Sequence, residues 1–269
     1  MTQPFHDAVV VVTGASHGIG ESMACQLAAQ GARLVLAARR ADELDRVAAA
    51  CRAAGAPSVL VVPTDVSDPT ACAALIDRAV AEFHGIDMLV NNAGLGMWSR
   101  VDAVQDLTIF ERVLRVNYLG AVYCTHAALP HLKASSGRIL CVSSLAGRTG
   151  VPLRSGYAAS KHAISGFFDS LRIELRGSGV SVTLVHPGFV STGAQGRNLS
   201  ADGTPLGVVP IRMQDAMSAD ECARRSLAAV AARKRQLVMT ARGKVGLWLK
   251  LLLPGLVDRI AAKAIADGK

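Results

Sequence analysis

Apolar and polar positions follow two alternating rhythms along the chain. Short unbroken apolar runs rich in β-branched residues recur between longer stretches that carry an apolar residue every three or four positions. The run 8–13 (AVVVVT) predicts a strand buried on both faces. Residues 18–31 (GIGESMACQLAAQG) then set Ile19, Met23 and Leu27 on one helical face and stop at Gly31. The pair repeats. Further strands are predicted at 33–38, 58–66, 86–94, 137–144, 180–188 and 236–240. Helices are predicted at 41–55, 68–85, about 103–134, 157–177 and near 218–234. Asp68 is the expected N-cap of the second of these, with Pro69 in its first turn. Residues 191–215 read as loop.

Strand and helix in alternation imply right-handed crossovers and a mainly parallel sheet covered on both faces, an α/β doubly wound fold. The chain has 269 residues, 51% of them hydrophobic, enough for one large core. No composition shift, repeat or linker marks a boundary, so a single domain over 1–269 is expected. The first residues lack the pattern of a secretory signal, and no run of about 20 apolar residues predicts a membrane span. Six scattered cysteines without a CxxC pair argue against a disulfide framework and a thiolate zinc site, and suit a cytoplasmic setting. The histidines show no metal-ligand spacing, and no metal is expected.

The net charge of +8 is dispersed and the aromatic content is only 4%, which disfavours nucleic-acid binding. The same balance suits a phosphate-bearing cofactor or an anionic membrane surface.

The stretch TGASHGIG, 13–20, joins the first strand to the first helix. Gly14 is expected to make the turn. Gly18 and Gly20 are expected to admit a pyrophosphate close to the backbone, at the amides of the helix N-terminus. The spacing G-x-x-x-G-x-G is similar to that of the classical short-chain dehydrogenase/reductase family. NNAG at 91–94, Ser144, Tyr157 and Lys161 in SSLAGRTGVPLRSGYAASK, and HPGFVST at 186–192 match the family pattern in the same order, over about 8–192. The resemblance implies a Rossmann-type domain with seven parallel strands. It also implies hydride transfer between a nicotinamide cofactor and a carbonyl or alcohol.

The chemistry also follows from the residues. Carbonyl reduction needs a proton for the oxygen, and a free phenol with pKa of about 10 is poorly matched to neutral pH. Lys161 lies one helical turn from Tyr157 and would lower that pKa. Ser144, at the end of the fifth strand, can hydrogen-bond the substrate oxygen. Ser143 is its rival, since neighbours in a strand point to opposite faces and only one should serve. By resemblance, Ser144 takes the role, Lys161 also holds the nicotinamide ribose, and Asn117 supports a water relay to it. The intact Ser144–Tyr157–Lys161 set argues against a cofactor-binding scaffold without turnover.

The second strand ends at Ala38 and Arg39, where NAD selection would want an acid. An arginine there suits a 2′-phosphate, so NADP(H) is expected. The missing acid also disfavours a methyltransferase. The expected cofactor contacts are Gly14, Ser16, His17, Gly18, Ile19, Gly20, Arg39, Asp65, Val66, Asn91, Ala93, Gly94, Tyr157, Lys161, Pro187, Gly188, Val190 and Thr192. Arg40 is expected to be solvated. Residues 191–215 are the expected substrate lid. With Leu95, Met97 and Trp98 they suggest a small lipophilic carbonyl or alcohol substrate. By resemblance, a homodimer or homotetramer is expected, joined through the helices at 103–134 and 157–176.

The tail, 242–269, is apolar from Val245 to Val257 apart from Gly246, Lys250, Pro254 and Gly255. Two readings stay open. The tail is buried against the domain or in a subunit seam, or it is an interfacial helix pair that gives peripheral membrane contact.

Overall fold

The computed structural model describes residues 4–193, 195–207 and 216–266. Seven parallel strands form its main sheet: β1 (Val9–Thr13), β2 (Arg33–Ala38), β3 (Val59–Pro63), β4 (Met88–Asn91), β5 (Arg138–Val142), β6 (Ser181–His186) and β9 (Gln236–Val238). Their order is β3-β2-β1-β4-β5-β6-β9. It reverses between β1 and β4, which pair through Val10–Met88, Val11–Leu89 and Val12–Val90. The crevice beyond the carboxyl ends of these two strands is where such sheets bind ligands.

The valine-rich β1 is buried throughout because it is the central strand, covered on both faces. Val10 and Val12 join the core layer that includes Met23 and Leu27 of α1 (Gly18–Ala28), Leu44 of α2 (Ala41–Ala54) and Leu227 of α7 (Ala219–Ala231). Val9 and Val11 face the opposite layer. That layer holds Leu75 of α3 (Pro69–Phe83), Cys124 of α5 (Gly120–Ala134) and Phe168 of α6 (Ser155–Glu174). Asp68 caps α3 by accepting from the Thr70 amide at 2.8 Å.

Several boundaries differ from expectation. The helical region at 103–134 is broken into a 3-10 turn at Val101–Ala103, α4 (Thr108–Leu114), a π-helical turn at Arg115–Leu119, and α5. The stretch 191–215 is not plain loop. Its start pairs with a distant segment, β7 (Val190–Ser191) against β8 (Met217–Ser218). Within it, Leu199 bridges both Met97 and Pro205 and closes a small apolar cluster with Ile109 and Val113. Positions 194 and 208–215 lie outside the described residues, and with them most of the apolar lid segment LGVVPI.

The tail forms α8 (Ala241–Leu252) and α9 (Pro254–Ala266), and neither helix has a buried residue. Leu247, Leu249, Val257 and Ile265 are half-buried, whereas Trp248, Leu251 and Leu252 are exposed, so the domain covers only one side of the tail. No described helix is long and apolar enough to cross a membrane.

Candidate active site

A cleft of about 580 Å³ runs along the carboxyl edge of the sheet, from the glycine loop to the β7 segment. Gly14 opens it with φ of +64°, a left-handed conformation that favours glycine. A Cβ there would stand 2.8 Å from the Ala93 Cα, so β1 and the turn after β4 meet without room for a side chain. Thr13 ties the same two strands. Its hydroxyl donates to the Val90 carbonyl at 3.1 Å and accepts from the Asn92 and Ala93 amides at 3.0 and 3.2 Å.

Gly14, Ser16, His17, Gly18, Ile19, Arg39, Asp65, Val66, Ala93, Gly94, Pro187, Gly188, Val190 and Thr192 all line the cleft. Gly20 does not. A Cβ there would collide with the Gly14 carbonyl oxygen, so this glycine lets the helix pack onto the turn. Asn91 also does not line it. Its Nδ2 donates to Thr125 Oγ1 at 2.9 Å inside the core. The next residue takes its place, because a one-residue step along a strand reverses the side chain. Asn92 lines the cleft and donates to the Thr13 and Gly14 carbonyls at 3.0 and 3.1 Å.

Ser144, Tyr157 and Lys161 converge on the cleft wall below β5. Lys161 is buried, and its Nζ donates to the Val142 carbonyl at 2.8 Å, 5.8 Å from the centre of the Tyr157 ring. Burial raises the Tyr157 pKa. The charges of Lys161 and Arg154 and the hydrogen bonds from Ser144 and Arg154 more than offset it, leaving the phenol below its ordinary value. The two serines are told apart by their partners. Ser143 donates to the Lys161 carbonyl at 3.3 Å, a helix-anchoring role, while Ser144 faces the phenol.

Asn117 sits in the π-helical turn, buried and off the cleft lining. Its Oδ1 accepts from the Leu95 amide at 2.7 Å, and its Nδ2 donates to the Leu95 carbonyl and Ser160 Oγ, each at 2.9 Å. It fixes the turn after β4 to the helix of Tyr157 and Lys161.

A family model described as short chain dehydrogenase matches residues 8–202. The chain belongs to that family. This short-chain dehydrogenase is an oxidoreductase of alcohol and carbonyl groups. It is 38% identical over 265 residues to 11-beta-hydroxysteroid dehydrogenase 1A of Arabidopsis thaliana, covering 96% of this chain and 75% of that one. It is 36% identical to dehydrogenase/reductase SDR family member 7B of Bos taurus, covering 95% and 81%. Among solved structures it resembles an alcohol dehydrogenase of Thermococcus sibiricus complexed with 5-hydroxy-NADP. That likeness has a TM-score of 0.72 and 27% identity, and covers 86% of this chain and 95% of the other.

Several features of the dehydrogenase site were not anticipated from its motifs. Arg154, three residues before Tyr157, stacks on that ring with its guanidinium carbon 4.1 Å from the centroid. It also faces Trp98 and Phe189 at 5.6 and 6.0 Å, and its buried Nε has no hydrogen-bond partner among the described residues. Arg197 comes from the lid segment and donates to the His17 ring at 3.1 Å. Desolvation, then Arg197 and Arg40, lower the His17 pKa and hold the ring neutral. Arg40 is exposed but pairs with Glu43 at 2.8 Å. Met97 is wholly buried in the small apolar cluster and does not line the cleft, whereas Leu95 and Trp98 do. No helical signal marked Arg154, because it is the N-cap of α6 and lies outside the helical spacing that ties Tyr157 to Lys161. None was available for Arg197, which meets His17 only through the folded lid.

Proposed function

We propose that this short-chain dehydrogenase transfers hydride between NADP(H) and the carbonyl or secondary alcohol of a small lipophilic substrate, as one Rossmann-type domain. The observation that carries the reading is a phenol with a lowered pKa, with Arg154 and Lys161 4.1 and 5.8 Å from its ring centre and a hydrogen bond from Ser144. Tyr157 gives its proton to the substrate oxygen in reduction and takes it back in oxidation. Ser144 orients that oxygen and stabilises charge developing on it. Lys161 lowers the phenol's pKa and holds a ribose. Asn117 supports the proton relay towards Lys161 by fixing Leu95 and Ser160.

The residues fit the dinucleotide. The loop Gly14–Ile19 ends on the α1 N-terminus, whose amides suit a pyrophosphate. Arg39 carries no ion pair among the described residues, Ala38 supplies no acid, and Arg197 stands across the loop at His17, a cationic setting for a 2′-phosphate. Asp65, Val66, Ala93 and Gly94 would flank the adenosine side, and Pro187–Thr192 the nicotinamide side. When bound, the cofactor supplies or accepts the hydride. The NADP derivative in the related alcohol dehydrogenase supports the choice.

A lipophilic substrate is supported by Leu95, Trp98, Phe189 and Leu199 on the cleft wall. The hydroxysteroid dehydrogenases among the relatives point the same way. Leu107 beside α4, Leu114 on α4 and Ile173 on α6 are exposed, which supports a homodimer or homotetramer through those helices.

The test is NADPH oxidation by the purified protein over a panel of lipophilic ketones and aldehydes. Tyr157→Phe should lower kcat by about 100- to 10,000-fold with NADPH affinity unchanged. Near-normal turnover by the folded variant overturns the reading.

A further inference from the structure

Among the described residues, twelve large hydrophobic side chains are exposed, and seven of them fall between 245 and 260. Trp248, Leu251 and Leu252 are 73%, 74% and 78% exposed. Val245, Trp248 and Leu252 are spaced i, i+3, i+7 and share a face of α8, while Leu256 and Ile260 share a face of α9. Leu253 lies between the two helices, before Pro254. A water-soluble surface does not keep so much apolar area concentrated in one place without a use for it.

The pair is rooted rather than loose. Thr240 caps α8 by accepting from the Gly243 amide at 3.0 Å. A Cβ on Gly243 would stand 2.8 Å from Leu145, the residue after Ser144. Lys250 Nζ donates to the Arg148 carbonyl at 3.0 Å. The root of the tail therefore abuts the segment that carries Ser144.

Charge decides what covers the apolar face. Besides Lys250, which is tied to the domain, the two helices carry Arg242, Lys244, Arg259 and Lys263 against a single acid, Asp258. A two-fold contact with a second copy would set this basic patch against itself, since each subunit presents the same surface. A bilayer with anionic headgroups takes apolar side chains into its acyl boundary and basic ones at its surface. Helices of 12 and 13 residues, broken at Pro254, are too short to span it and suited to lie in its plane.

We propose that α8 and α9 form an interfacial anchor, lying flat on an anionic membrane surface with Trp248, Leu251, Leu252, Leu256 and Ile260 in the acyl boundary. The anchor holds the Ser144 end of the cleft near that surface.

The full-length protein would be sedimented with phosphatidylcholine vesicles with and without phosphatidylserine. Three proteins are compared: the wild type, Trp248→Glu/Leu252→Glu, and Lys244→Gln/Arg259→Gln/Lys263→Gln. The wild type should bind the phosphatidylserine vesicles, and less so as salt rises. The apolar and charge variants should each lose at least tenfold in binding, with oligomeric mass and NADPH affinity unchanged. Failure of the wild type to bind, or binding by the apolar variant equal to wild type, overturns the proposal. A fall in oligomeric mass in the apolar variant also overturns it, because the tail is then an interface between copies. Because NADPH affinity and vesicle binding are read separately, failure here leaves the proposed catalytic reading standing.

Discussion

The Arg154 guanidinium lies over the face of the Tyr157 ring, 4.1 Å from its centre, and also donates to the phenol oxygen. The Lys161 ammonium is 5.8 Å from the same ring centre, and both cations lower the phenol's pKa.

Arg154→Leu should therefore raise the Tyr157 pKa. The protonated phenol is the acid in reduction, so the reductive rate falls as pH rises through that pKa. The variant moves the fall to higher pH. Oxidation needs the phenolate, so its rise with pH also moves up, and the variant is weaker than wild type in oxidation near neutral pH. Arg154→Lys should restore part of the shift. Profiles of kcat in both directions check this. A merely structural role would lower Tm and leave both inflections where they were.

Cofactor choice should depend on Arg39 and Arg197. Ala38→Asp with Arg39→Leu exchanges a phosphate partner for an acceptor suited to a bare 2′-hydroxyl, and should shift preference towards NADH. Arg197→Ala should weaken NADPH by about ten- to hundredfold, the scale of one charge-assisted hydrogen bond, and NADH little. The ratio of kcat/KM values for the two cofactors is the readout. An unchanged ratio in both variants means other groups read the phosphate.

Gly20→Ala should cost about 1–3 kcal/mol or more, because the added carbon meets backbone at Gly14 and not a yielding side chain. Chemical denaturation measures it. The same change at Gly166, which has open space at its Cβ, should be neutral or stabilising.

His186 is fully buried, and one ring nitrogen donates to the Ser144 carbonyl at 3.2 Å. Burial pulls its pKa down to about 4. The unfolded chain takes up the proton near pH 6.5 and the folded one only near 4, so stability is intact above 6.5 and is lost as pH falls through that window. The loss totals about 3 kcal/mol. His186→Asn, which can keep the donor, should flatten this part of the stability–pH curve. Denaturant midpoints between pH 7 and 4 test it, and an equally steep curve in the variant discounts His186.

Much of the fold was legible in local pattern. The Val9–Val12 run could only be a central strand, because a strand buried on both faces needs apolar side chains in both directions. Tyr157 and Lys161 were legible because one helical turn fixes their spacing whatever surrounds them. The π-helical turn at Asn117 was not, since its backbone pattern leaves no periodic signature in the side chains.

The sequence by itself determined the strand order's raw material, the glycine turn and the Tyr157–Lys161 register, because each rests on bonds and spacings within one element. Tertiary structure alone decided that Asn92, and not its neighbour Asn91, faces the cleft. It also decided that Gly20 serves helix packing, that Arg197 reaches His17 across 180 residues, and that the tail's apolar face stays uncovered by its own domain. Each of these depends on which surfaces the completed sheet brings into contact, and burial and charge pairing between distant segments have no period along the chain.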